Sequence, residues 1–131
     1  MATIFSKIVN GDIPAYKVAE DDKYLAFLDI NPLAEGHTLV IPKKETDNIF
    51  DIDNVDYTGL WLFAKRVANS IKKVVPCKKV GIAVIGLEVA HAHIHLVPIN
   101  NIYDIDFKKE KLKISESRFK ELTELISQNL K

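Results

Sequence analysis

The chain has 131 residues, 47% hydrophobic and 27% charged, the balance of one ordinary globular domain spanning residues 1–131. Eighteen lysines and arginines meet eighteen aspartates and glutamates for a net charge of zero, which argues against nucleic acid as a partner, because that binding needs a basic surface. Cys77 is the sole cysteine, which excludes an internal disulfide and a Cys-x-x-Cys zinc site.

Residues 1–7 lack a basic stretch followed by an apolar one, and no apolar run approaches the roughly 18 residues of a membrane helix. With the lone thiol, this leads us to expect a cytoplasmic location and no membrane partner. Apolar residues at 4, 5, 8 and 9, followed by Asn10-Gly11, predict a short helix with a glycine stop. Residues 17–19 and 23–28 predict two strands around a Glu20-Asp21-Asp22 turn, the second closed by Asn31-Pro32. Gly36 precedes a third strand, residues 37–41, stopped by Pro42.

Residues 57–74 carry apolar side chains at 60, 64, 67, 68, 71 and 74, the stripe of a long helix that Pro76 ends. Trp61 and Phe63 lie beyond that stripe and offer apolar surface for a partner. Residues 80–85 predict a fourth strand and residues 89–98 a fifth. Residues 102–114 are charged and poorly periodic. Ser115 reads as the N-cap of a last helix with Phe119, Leu122, Leu125, Ile126 and Leu130 on one side. The order implies an α+β fold: a mostly antiparallel five-stranded sheet, one long central helix and a C-terminal helix.

The fifth strand carries the most specific signal. Side chains on a strand alternate between faces, so His91, His93 and His95 share one face while Ala92, Ile94 and Leu96 share the other. Three readings compete. The rings could be satisfied polar residues, although clustered imidazoles that go unused repel one another once charged. They could hold a metal with His37 as a further ligand, although positions i and i+4 of a strand lie about 13 Å apart. Or they could work on phosphate without metal: one unprotonated ring nitrogen attacks phosphorus while its neighbours donate to the non-bridging oxygens. His93, with a ring on either side, is the natural nucleophile.

His91-Ala92-His93-Ile94-His95-Leu96-Val97 resembles, position by position, the signature of the histidine triad (HIT) nucleotide-binding family. The likeness extends upstream through Ile4-Phe5-Ser6-Lys7-Ile8-Val9, Ile13-Pro14-Ala15, Leu25-Ala26-Phe27-Leu28-Asp29-Ile30-Asn31-Pro32 and Gly36-His37-Thr38-Leu39-Val40-Ile41-Pro42. It covers about residues 3–98 and is nearest to the small Hint branch and bacterial members of similar length.

The resemblance implies a HIT-like core over about residues 3–100, with residues 101–131 as a C-terminal extension. It implies a metal-independent nucleotidyl hydrolase or transferase that needs no cofactor. Its substrate would be a purine nucleoside phosphoramidate, a dinucleoside polyphosphate or a related adenylate. It also implies a homodimer built on the long helix and a strand edge. By the same resemblance His93 is the nucleophile, His95 contacts the α-phosphate, His91 supports the site and His37 stands near the leaving group. Asp29 would take the ribose hydroxyls, and Ile4, Phe5, Ile8, Ile13, Phe27 and Ile30 would line the purine pocket.

Two features depart from the pattern. Gly86-Leu87-Glu88-Val89-Ala90 stands where Hint relatives carry a polar Gly-Gln-Ser/Thr segment; an ionised Glu88 would repel a phosphate unless a histidine beside it is protonated or, alternatively, would hold a basic leaving group such as an amine. Relatives often have an asparagine within residues 80–86, and this chain has none. These departures keep a second reading open: a nucleotide-binding module with little catalytic activity.

Overall fold

A computed structural model describes residues 2–130. The elements follow one another as α1 (Ile4–Val9), β1 (Lys17–Glu20), β2 (Tyr24–Leu28), β3 (Thr38–Pro42), α2 (Asn54–Val74), β4 (Lys79–Ala83), β5 (Ile94–Ile99) and α3 (Glu116–Gln128). Single 3-10 turns at Ile49–Asp51 and Ile102–Ile105 interrupt the connections. All strand pairs are antiparallel, in the order β1-β2-β3-β5-β4, so the fold is the expected α+β arrangement.

The sheet is covered on both faces, and strand alternation assigns the residues. Ala26, Leu28, Val40, Ile94 and Leu96 face α2 and α3 in the larger core cluster. Leu25, Phe27, Leu39 and Ile41 face the other way, against Phe5 and Ile8 of α1. Strands buried on both faces read as continuous apolar runs, which is why β2 and β3 are buried at every position.

Helix α2 begins at Asn54, three residues before the expected start at 57, because the Asp53 side chain accepts the Asp56 N–H as an N-cap. Phe63 is not surplus surface. It is buried in the core, with its ring 5.6 Å from that of Tyr24, because positions 60, 63, 67 and 71 form one helical face. Trp61 is half-buried against the same cluster, whereas Leu62 is 58% exposed. Ser115 caps α3 as expected, and Phe119, Leu122 and Ile126 are buried, but Leu125 stays exposed to one side of that stripe. The Ser70 hydroxyl, fully buried, donates to the Ile126 carbonyl and ties α3 to α2. Arg118 adds a bidentate pair to Glu35 at 2.8 Å on each side. Residues beyond 100 therefore share the core with the sheet.

The expected strand over residues 89–98 is shorter: its ladder starts at Ile94, so only His95 of the three histidines is paired in the sheet. Upstream, the backbone is committed elsewhere. The Ala92 N–H donates to Thr46 O at 2.7 Å, and the His91 carbonyl accepts from the His93 ring. Strand β4 likewise ends at Ala83, opposite His95, because residues 86–93 turn away and offer it no partner. Gly36 sets the start of β3. Its φ is +87°, and a Cβ there would stand 2.9 Å from Val75 Cγ2, so only glycine fits.

Candidate active site

The alternation inferred for the triad survives the missing ladder. His91, His93 and His95 are 0%, 6% and 8% exposed, and Ala92, Ile94 and Leu96 sit in the opposite core cluster. The His93 and His95 rings lie 4.9 Å apart, centroid to centroid. Phe5 packs edge-on behind the row, 5.8 Å from His91 and 5.0 Å from His93. His37, 1% exposed, reaches the row from the start of β3, with its ring 5.2 Å from His95.

Hydrogen bonds fix which ring nitrogen carries the proton. Leu33 N–H donates to His37 Nδ1 at 2.9 Å. His37 Nδ1 is therefore an acceptor, and the proton of the neutral ring sits on Nε2. That N–H points at His95 Nδ1, 3.0 Å away, which leaves His95 with its own N–H on Nε2. The His93 Nδ1–H donates to the His91 carbonyl at 2.7 Å, so the Nε2 of a neutral His93 bears a free lone pair. The His91 Nε2–H donates to Pro42 O at 2.8 Å, and its Nδ1 accepts from the Thr3 hydroxyl at 2.9 Å.

Thr3 is itself constrained. Its oxygen accepts the Ser6 N–H, and the Ser6 hydroxyl is committed to Glu45 Oε1 at 2.7 Å. Glu45 also accepts the Thr3 N–H at 3.0 Å. The N-terminus of α1, the residues after β3 and the triad are thus one hydrogen-bonded unit.

Burial dominates the electrostatics. Loss of hydration, aided by repulsion from His95 and Lys111, pulls His37 down from its ordinary 6.5 to about 3. Burial with repulsion from His93 pulls His95 down to about 4. Burial also lowers His91, against the pull of Pro42 O and Glu45. Asp29 shifts upward because burial outweighs its hydrogen bond from the Asn31 N–H.

A cleft of about 290 Å³ opens onto these groups. Asp29, Asn31, His37, His93 and His95 line it, with Ile85, Gly86, Leu87 and Glu88 from the loop before the triad, and Phe107 and Lys111 from the C-terminal segment. The structure therefore brings His93, His95, His37, Asp29 and Glu88 together around one space. Six further residues are the expected purine contacts. Phe5, Ile8 and Phe27 are buried in the α1-side cluster, Ile13 packs against it, and Ile4 and Ile30 are exposed. None of the six lines the cleft.

Ligand atoms of Asp29, His37 and His95 fall within 4.8 Å of one another. The donor set suits a metal poorly, because the Leu33 N–H occupies the nitrogen of His37 that would have to be protonated for Nε2 to ligate.

Several contributors carry no sequence signal of their own. Thr3, Ser6 and Glu45 reach the triad only through tertiary contact. Phe107, 4.7 Å from the His95 ring and 6.1 Å from His37, comes from a stretch without periodicity.

A family model described as the HIT domain matches residues 10–102. The chain belongs to the HIT family. A HIT-like protein of Borreliella burgdorferi, described as uncharacterized, is 39% identical over 97% of both chains. An adenosine 5'-monophosphoramidase of Schizosaccharomyces pombe is 34% identical over the full length of both. The crystal structure of a HIT-like protein from Bartonella henselae, described as involved in cell-cycle regulation, superposes with a TM-score of 0.84 at 28% identity. It covers 98% of this chain and 96% of that one.

Proposed function

We propose that this HIT protein is a metal-independent nucleotidyl hydrolase that acts at the α-phosphate of a purine nucleotide through a covalent intermediate on His93. One observation carries the reading: the His93 Nδ1–H is spent on the His91 carbonyl, which leaves Nε2 as a lone pair in the cleft. The Nε2 lone pair attacks phosphorus, the N–P bond forms and the bond to the leaving group breaks in line. The His95 Nε2–H donates to a non-bridging oxygen, where negative charge must be held. Water then cleaves the N–P bond and returns His93.

His37 acts one step back: its Nε2–H fixes the tautomer of His95. Asp29, at the cleft wall, takes the ribose hydroxyls, and Ile30, its exposed neighbour in sequence just outside that lining, offers the base an apolar surface. Relatives named adenosine 5'-monophosphoramidases support a phosphoramidate as substrate. Glu88 suits an amine as leaving group.

His93→Ala should abolish hydrolysis of an adenosine phosphoramidate while AMP still binds, and a chelator should leave wild-type turnover unchanged. Turnover in His93→Ala at the wild-type rate would refute the mechanism. A second reading, nucleotide binding with weak chemistry, draws on Leu87, which is 89% exposed beside the cleft and cannot donate a hydrogen bond. No measurable phosphoramidate turnover with intact AMP binding would favour it.

We further propose a homodimer. Strand β4 is a sheet edge with Ile82 half-exposed, and it packs against α2, where Leu62 and Val55 are exposed. An unpaired edge beside an apolar helix face suits a second copy of the chain.

A further inference from the structure

Residues 103–130 lie beyond the family match, yet two of them, Phe107 and Lys111, line the cleft. The segment is held firmly. The Leu112 N–H donates to Pro32 O at 2.9 Å, and Phe107 packs on His95. Ile105 closes over Gly81, where a Cβ would come within 3.2 Å of its Cδ1.

Lys111 is half-buried on this segment and is the only lysine or arginine lining the cleft among the described residues. Its ammonium donates to two backbone carbonyls, Phe107 O at 2.5 Å and Lys109 O at 3.1 Å. An ammonium has three donors, so one remains. Among the described residues Lys111 forms no ion pair with a carboxylate. Every other charged side chain of the lining, Asp29 and Glu88, is acidic and would repel an anion. A cation tethered in place with one donor unspent, the one cationic lysine or arginine of the lining among the described residues, is a seat for an anion beside the histidines.

We propose that Lys111 binds a second phosphate of the nucleotide, beyond the one held by His93 and His95, and so selects bisphosphorylated nucleotides over monophosphates. This rests on the nucleotidyl reading above. The second phosphate could extend the 5' chain, as in a polyphosphate, or sit on the ribose near Asp29. Both present the same dianion to the ammonium.

The test compares AMP, ADP and adenosine 3',5'-bisphosphate by calorimetric titration of the full chain. At least one of the two bisphosphorylated ligands should bind about tenfold more tightly than AMP, as one charged hydrogen bond gives. Which of them does so tells the 5' chain from the ribose position. In Lys111→Met the preference should fall to about one, with Lys111→Gln as a second neutral variant should the first fold poorly, and Lys111→Arg should keep it.

Equal binding of all three ligands by the wild type would overturn the proposal, as would a preference that survives both neutral variants. AMP binding and phosphoramidate turnover without any such preference would remove Lys111 alone from the account. A wild type that neither binds AMP nor turns over the phosphoramidate would remove the nucleotidyl reading and this proposal together.

Discussion

Lowering the pH from 6.5 to 4.5 acts on two buried imidazoles at once. In the unfolded chain His37 and His95 take up protons near pH 6.5. In the folded chain burial holds them neutral until about 3 and about 4. Across that window the unfolded state binds more protons, so stability must fall as the pH falls. A proton bound by the unfolded chain alone costs stability about 1.4 kcal/mol for each pH unit descended, so each imidazole removes about 2 kcal/mol by pH 4.5 and the pair about 4.

The lowered His91 adds in the same direction. The raised Asp29 opposes it, because the folded state takes up that proton first. Urea unfolding at both pH values measures the difference, and His37→Gln should cut it by about half. A wild type equally stable at pH 6.5 and 4.5, or a variant with the full wild-type loss, would refute the claim that burial holds these rings neutral.

Two further outcomes follow from contacts around the site. Thr3→Val leaves His91 Nδ1 buried without its donor and should cost about 1–3 kcal/mol in chemical denaturation, whereas Thr3→Ser should cost little; equal losses would show that the hydroxyl is not what holds the ring. On size exclusion the chain should elute as two copies, and Leu62→Glu, which adds a charge to the exposed face of α2, should shift it to one. Elution of the wild type as a single copy would contradict the dimer.

How far the sequence reaches depends on what each residue's position reports. The His-x-His-x-His alternation tells which face each ring takes even though residues 89–93 are not in the ladder: Phe5 packs against both His91 and His93, while Ala92 lies in the opposite core cluster. Asp29 and His37 follow from their register with the triad, and both line the cleft. Phe63 escapes a narrow apolar stripe because the buried face of α2 is wider than that stripe. The purine contacts rest on resemblance, and residue type does not separate a core phenylalanine from a pocket one. Phe5, buried with its ring 5.0 Å from that of His93, belongs to the core whether or not a base reaches it.

Thr3, Ser6 and Glu45 are silent in the sequence because their role is a tertiary one: 88 residues separate Thr3 from His91. Phe107 and Lys111 lie in a stretch with no repeating pattern, so only the folded chain brings them to the cleft.

The central claim is that His93 becomes covalently bonded to phosphorus. Rapid quench of the wild type with a slowly cleaved adenosine phosphoramidate, followed by intact-mass analysis, tests it directly. The expected result is a species heavier by one adenylyl group, mapped to His93 and missing from His93→Ala. Turnover without that species, or the same species in His93→Ala, would contradict it.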